Sequence, residues 1–175
     1  GTVKNPDPDH THADFAIFIE GKKVDLSATK YMSGNSKDKT HSGALHPDLH
    51  LHDGNGNVIH KHHDGLSLSM FFRSIGITMI KGENCVKIEK KEYCSLGPKR
   101  WKMFLNGKQV AFDPSYVFSD LDKILLSYGN DSEEAVKKQI ESLSDDACLY
   151  SQTCPERGTP PPENCVSDPE VPCSE

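Results

Sequence analysis

Apolar and polar residues alternate in the first regular segment of the chain, residues 14–20, and this period of two predicts a β-strand. Gly21 then ends the segment, and residues 22–26 follow as the second strand of a hairpin. A similar pattern returns at residues 102–113, where Asn106 and the glycine after it form a strong two-residue turn signal. The sequence therefore predicts two antiparallel hairpins of similar design.

The apolar spacing becomes helical at residues 66–76, which predicts one short amphipathic helix. Ser67 is a suitable N-cap for this helix, and Gly76 is a suitable stop signal. Its apolar positions, which we expect to face the core, are Leu66, Met70, Phe71 and Ile75. Further strands are predicted at residues 77–80, 85–88 and 122–129, and a second helix at residues 132–143.

These elements predict an α+β fold, in which a mixed or antiparallel sheet of hairpins carries one packed helix. Residues 13–129, without the His-rich hairpin, resemble the ubiquitin-like β-grasp, where one helix packs on a mixed sheet. The segment VFSDLDKILLSYG carries this resemblance, because it is similar to the closing segment of small β-grasp proteins. We divide the chain into a His-rich α+β domain, residues 1–129, and a C-terminal helix with a disulfide-rich, Pro-rich tail, residues 130–175.

Charge and hydropathy exclude two kinds of partner. The 175 residues include 20 Lys and Arg against 26 Asp and Glu, so the formal net charge is −6. Sequence-independent nucleic-acid binding is excluded, since it requires a net basic surface to replace the counterions of phosphate. No apolar run reaches the roughly 18 residues of a membrane span, so we expect no span in this chain. Residues 30–47, rich in Ser, Gly, Lys and Thr, are expected to form an exposed loop.

Six cysteines without any Cys-x-x-Cys spacing predict three disulfides and an oxidising, extracellular compartment. We favour the sequential pairing, because the gaps within the apparent pairs are short. The predicted disulfides are Cys85–Cys94, Cys148–Cys154 and Cys165–Cys173. The chain is therefore expected to be a mature secreted protein or the soluble part of one.

Nine histidines are present, and most of them lie in or near three His-x-His pairs. The pairs are His10 with His12, His50 with His52, and His60 with His62. Residues i and i+2 of a strand point to the same face, so each pair offers two imidazoles that can chelate one ion. Neutral imidazole binds zinc and copper, and disulfide-bonded cysteines leave nitrogen as the main ligand type.

The register of the His-rich hairpin decides which of its residues share a face. An odd loop, such as residues 53–57, places His50 opposite His60 and His52 opposite Val58. The histidines then share one face, while the core can take the apolar residues of the other face, Leu49, Leu51 and Ile59. Burial of these side chains favours the odd loop over a two-residue Asn-Gly turn by roughly 1.5–3 kcal/mol each.

Seven histidines are candidate ligands of zinc or copper. Four come from the hairpin, two join if the first strand lies alongside, and one comes from the loop; they are His50, His52, His60, His62, His10, His12 and His46. Asp14, Asp53 and Asp64 each follow a His-x-His pair within two residues. These carboxylates are candidate ligands or hydrogen-bond acceptors that orient an imidazole.

The leading functional prediction is a non-enzymatic extracellular protein that holds zinc or copper for structure, capture or the bridging of subunits. Three alternatives stay open: a pH-responsive His interface, a structural subunit of a surface fibre or layer, and a zinc hydrolase or hydratase. An enzyme would need a base such as Glu near the metal, but no Glu occurs between Glu20 and Glu83.

The whole sequence is also similar to a group of uncharacterised secreted His-rich proteins of archaea and small-genome bacteria. The similarity lies in HTHADF, HLHDGNG, VIH, the helix with paired Phe, ILLSYG and CPERG. This resemblance implies no particular activity.

We expect alkylation of the denatured, non-reduced protein to label none of the six cysteines, because all are paired. Peptide mapping should link Cys85 to Cys94, and each short loop should contribute about 2–3 kcal/mol of stability in the chain-entropy model. Labelling of Cys85 and Cys94 would contradict this pairing and would make both thiols candidate metal ligands.

Overall fold

The computed structural model describes residues 2–32, 48–80, 82 and 84–160, and within them the fold is α+β, as predicted. The strands are β1 (Thr11–Ile19), β2 (Lys22–Lys23), β3 (Leu49–His52), β4 (Asn55–Lys61), β5 (Ile77–Ile80), β6 (Cys85–Ile88), β7 (Lys91–Cys94), β8 (Arg100–Leu105), β9 (Lys108–Val110) and β10 (Lys123–Gly129). The helices are α1 (Leu68–Ser74), α2 (Glu133–Glu141) and α3 (Ala147–Tyr150), with 3-10 turns at Thr29–Tyr31 and Pro155–Arg157. None of the described helices has the length and apolarity needed to cross a membrane.

Seven strands form one mixed sheet with the order β3-β4-β1-β10-β8-β9, and β2 also pairs with β1. At its centre β1 runs parallel to β10, with Phe15 opposite Ile124, while the other pairs are antiparallel. Strands β5, β6 and β7 form a separate antiparallel sheet. A mixed sheet with a packed helix is the arrangement that the β-grasp resemblance implies.

Strand β1 is buried on both faces, which makes the large sheet the middle layer of the molecule. Its odd-numbered residues, such as Phe15, enter the large core. Its even-numbered residues face the other side, where Ala16 packs with Leu125 of β10 and Val136 of α2 in a smaller apolar cluster. We call this side the second face of the sheet, and it also carries His12.

Helix α1 packs its two aromatic residues into the large core, on the first face of the sheet. The ring of Phe15 lies 5.6 Å from that of Phe71 and 6.0 Å from that of Phe72. Met70, which was predicted to face the core, is 36% exposed instead. The prediction was wrong for this residue because Leu68, Phe71 and Phe72 form the buried stripe, which leaves Met70 at its solvent edge.

The hairpin formed by β3 and β4 keeps one predicted pairing and changes another. His50 lies opposite His60, as expected. His52, however, lies opposite Asn55 and not Val58, so the predicted five-residue loop is wrong. The register shifts between His50 and His52, and this irregularity keeps both imidazoles on the second face of the sheet.

A tight turn explains this altered register. Asp53 and Gly54 have φ angles of 55° and 71°, and positive φ at both central positions produces a two-residue turn that matches the twist of the strands. The extra residues are taken up inside β4, where Gly56 passes close to the chain after β2. A Cβ atom on Gly56 would lie 2.6 Å from the carbonyl carbon of Leu26, so only glycine fits there.

Three local elements differ from the sequence predictions. Strand β2 has only two residues instead of residues 22–26, because the chain then turns inward and buries Leu26. Strand β7 was not predicted, and it pairs with β6 so that Cys85 lies directly opposite Cys94. Helix α3 was not predicted either, since its four residues are too few to show a period.

Two of the predicted disulfides are present, and they are Cys85–Cys94 and Cys148–Cys154. Their Cα atoms are 4.0 Å and 5.5 Å apart, respectively. Cys165 and Cys173 lie outside the described residues, so their pairing stays a prediction. His46 and most of the predicted loop at residues 30–47 also lie outside them.

We predict that Phe71→Ala lowers the free energy of unfolding by about 3–5 kcal/mol, because it leaves a cavity in the large core. Met70→Ala, one residue earlier in the same helix, should cost less than about 1 kcal/mol, since this side chain is partly exposed. Urea unfolding of both variants measures the difference. Equal losses of stability would show that α1 does not bury the face described here.

Candidate metal centre

The second face of the sheet brings the predicted histidines together. His12 of β1 lies opposite His60 of β4, which in turn lies opposite His50 of β3, so the three form one row across three strands. His10 and His62 lie beside each other at the ends of these strands, with ring centroids 4.0 Å apart. The first strand therefore lies alongside the hairpin, the arrangement in which we expected His10 and His12 to join the other histidines.

Six imidazoles make a closed circuit of ring contacts, which we call the imidazole circuit. Its members, in order, are His10, His62, His50, His52, His60 and His12. Successive ring centroids are 4.0, 4.8, 4.4, 4.5 and 4.7 Å apart, and 5.3 Å closes the circuit. The face that the hairpin histidines share is buried, since four members of the circuit are at most 1% exposed: His12, His50, His52 and His60.

Three members of the circuit, His50, His52 and His62, are close enough to hold one metal ion, and we call them the metal triad. Each contributes one ring nitrogen, and these three atoms lie within 4.8 Å of one another. The Nε2 atoms of His50 and His62 are 3.1 Å apart. Two nitrogens bound to one tetrahedral zinc ion would be about 3.3 Å apart, so this pair needs little movement to share a cation.

Helix α3 packs on β1 and places Tyr150 against two rings of the imidazole circuit. The ring of Tyr150 lies 4.6 Å from that of His60 and 5.7 Å from that of His12. The Tyr150 hydroxyl accepts a 3.5 Å hydrogen bond from Asn55 of the hairpin. A segment that we had assigned to the C-terminal part of the chain therefore folds back onto the sheet and helps to bury His12 and His60.

Asp14 attaches the start of α3 to the sheet. Its Oδ1 atom accepts hydrogen bonds from the Ser144 hydroxyl at 2.6 Å, the Asp146 amide at 2.9 Å and the Ala147 amide at 3.1 Å. Burial raises the pKa of the Asp14 carboxyl above its ordinary value, although these hydrogen bonds favour the ionised form. The carboxylate that we considered as a metal ligand is thus part of the support for α3.

A disulfide and an ion pair connect α3 to the segment that follows it. Cys148, inside the helix, is bonded to Cys154, which closes the loop that follows. The Arg157 guanidinium donates a 3.1 Å hydrogen bond to the carboxylate of Asp146, just before the helix. This bridge and this ion pair keep Tyr150 over the imidazoles.

His12 is connected to a carboxylate through a hydroxyl group. The Ser151 Oγ atom donates a 2.5 Å hydrogen bond to Oδ1 of Asp120 and lies 2.6 Å from Nδ1 of His12. Because Ser151 gives its only hydrogen to Asp120, it accepts from His12, which places the imidazole proton on Nδ1. Nε2 of His12 is then the unprotonated nitrogen of the ring. Ser151 and Asp120 were not predicted as site residues, because they lie more than 100 residues from His12 and carry no motif.

The other two candidate carboxylates lie away from the metal triad. Asp53 is exposed in the hairpin turn. Asp64 is 95% exposed and lies 3.7 Å from the amino group of Lys61. Lys61 points to the opposite side of β4, where it donates to the carbonyl of Phe118, and burial lowers the pKa of its amino group.

Three histidines are not members of the imidazole circuit, namely His41, His46 and His63, and of these His41 lies outside the described residues. His63 is exposed, and its Nε2 atom lies 3.5 Å from the carboxylate of Asp48. His46 lies outside the described residues, and its ligation of a metal stays a prediction.

Comparison of the chain with protein-family models, with curated proteins and with solved structures found no match. The similarity to secreted His-rich proteins stays a prediction.

We predict that His12 carries its proton on Nδ1 in metal-free protein at pH 7.5, as seen by nitrogen-detected NMR of the imidazole rings. Ser151→Ala should remove this preference and lower the free energy of unfolding by about 1–3 kcal/mol, because a buried hydrogen-bonded group is lost. Ser115→Ala, at an exposed position, is the matched control and should change neither quantity. A His12 tautomer that is unchanged in Ser151→Ala would contradict the arrangement.

Proposed function

We propose that this chain is an extracellular metal-binding protein that holds zinc or copper at the metal triad. The observation that carries the proposal is the 3.1 Å separation of the Nε2 atoms of His50 and His62, with a ring nitrogen of His52 beside them. Imidazole nitrogen is a preferred ligand of both Zn(II) and Cu(II). Three such ligands meet most of the coordination of a tetrahedral ion and leave one position for water or another side chain.

Burial of the site supports a role in holding the metal firmly. His50 and His52 are 1% exposed, and α3 packs over the neighbouring rings. An ion that binds only the folded chain stabilises it, by about 2.7 kcal/mol when its concentration is 100 times the Kd. A buried position also favours binding within one chain, and the bridging of subunits stays a prediction from the sequence.

The disulfides support a location outside the cytosol. Disulfides form and persist in oxidising compartments, whereas cytosolic thiols are kept reduced. Cys85–Cys94 joins β6 to β7, and Cys148–Cys154 holds the helix that covers the imidazoles. Both disulfides use cysteine for structure, which leaves histidine as the source of metal ligands.

We predict that His62→Ala weakens Zn(II) binding on the order of 100-fold, because it removes one of three ligands. His63→Ala is the matched control, since this neighbouring histidine is exposed and lies outside the metal triad. It should leave the Kd within about a factor of two. Calorimetry with chelator-treated protein at pH 7.5 measures both values, and Cu(II) can be compared in the same way.

Affinity in the unsubstituted protein should also fall as the pH drops below about 6.5, where free imidazole becomes protonated and stops binding metals. Equal effects of His62→Ala and His63→Ala would contradict the assignment of the metal triad. Absence of bound Zn(II) and Cu(II) at pH 7.5 would refute the proposed function.

A further inference from the structure

A cleft of about 240 Å³ opens on the second face of the sheet, beside helix α2. Helix α2 packs on β10, and the next strands of the sheet, β8 and β9, continue beyond the helix. One wall of the cleft is therefore the side of α2, and its floor includes Phe104 of β8 and Gln109, which lies opposite on the edge strand β9. None of the described residues that line it belongs to the imidazole circuit, so binding there does not depend on the proposed metal site.

The base of the cleft is apolar. Val136 of α2 is buried in the smaller apolar cluster with Ala16 and Leu125, and Phe104 and Ile140 pack against this cluster while remaining partly exposed. Phe104 and Ile140 both line the cleft. Removal of apolar surface from water is favourable, so a ligand with an apolar body would gain free energy by covering these two side chains.

Two lysines place excess positive charge at the same cleft. Lys102 of β8 and Lys137 of α2 both line it, together with one acidic residue, Glu133. Within the part of the chain that the structure describes, neither lysine amino group makes an ion pair or a hydrogen bond. Lys123 of β10, in contrast, lies 3.1 Å from the carboxylate of Asp145. The cleft thus presents two unpaired cations in a chain whose formal net charge is −6.

We propose that this cleft binds a small organic anion, a monocarboxylate with an aliphatic or aromatic body. The body covers Phe104 and Ile140, and the carboxylate accepts hydrogen bonds from Lys102 and Lys137. Hydrogen bonds between an ammonium group and a carboxylate are stronger than those between neutral groups, so they select an anion over an uncharged ligand. The cleft is smaller than the roughly 300–1,000 Å³ of sites for drug-sized molecules, which favours a short chain.

Hexanoate is the probe that tests the proposal. Chelator-treated protein is titrated with sodium hexanoate at pH 7.5, and the shifts of the backbone amide signals are followed by NMR. Chelator treatment removes any metal that could itself bind the carboxylate. We expect saturable shifts centred on Phe104 and Ile140. Hexylammonium has the same chain and the opposite charge, so it should bind on the order of tenfold more weakly, because the two lysines repel it.

Three charge variants locate the anion. Lys137→Gln and Lys102→Gln should each weaken hexanoate binding about two- to fivefold, the usual effect of one exposed ion pair. Glu133→Gln should strengthen binding about twofold, because it removes the one negative charge at the cleft. Lys138→Gln is the matched control, since this lysine is exposed at the next position of α2 and does not line the cleft. It should leave the Kd unchanged.

Three results would each overturn the inference. They are the absence of saturable shifts at the cleft, equal binding of hexanoate and hexylammonium, and equal effects of Lys137→Gln and Lys138→Gln. These lysines are exposed or partly exposed, so we expect all the variants to fold, and circular dichroism checks this. Because the titration uses metal-free protein, each of these results leaves the proposed metal binding to its own test with His62→Ala.

Discussion

The burial of β1 on both faces is the constraint on which the rest of the structure depends. A strand at the centre of a sheet alternates its side chains, so every second residue of β1 must be covered by a different layer. Phe15 and its odd-numbered neighbours are covered by α1 and the large core. The even-numbered residues require a second cover, and α2 and α3 provide it by contacting β10 and β1.

The second face is divided into an apolar half and a polar half. In the apolar half, Ala16 and Leu125 are covered by Val136 through simple hydrophobic burial. The polar half holds the imidazole circuit, and buried polar groups are stable only with partners. Helix α3 supplies such partners, because the Tyr150 ring contacts His60 and the adjacent Ser151 bonds to His12. A disulfide and an ion pair hold this helix of four residues in place.

The same cover has a consequence for metal chemistry. Electrostatic interactions are stronger where water is excluded, and the rings of the circuit are held by neighbouring side chains on several sides. Ligands held in this way lose little freedom when an ion binds, which favours affinity. A metal bound at the metal triad would in turn link β3 to the residue that follows β4, and it would add to the stability of this hairpin.

Local sequence determined much of this protein. Local patterns were enough to predict the hairpins, the helix that Ser67 caps, two of the disulfides, and the cross-strand pairing of His50 with His60. Each of these features depends on residues that are near one another in the chain. Tertiary structure alone decided that the imidazoles are buried, that the hairpin turns at Asp53-Gly54, and that Asp120 and Ser151 orient His12. These features depend on contacts between segments more than 25 residues apart, such as Gly56 with Leu26 and α3 with β1, which leave no periodic pattern in the sequence.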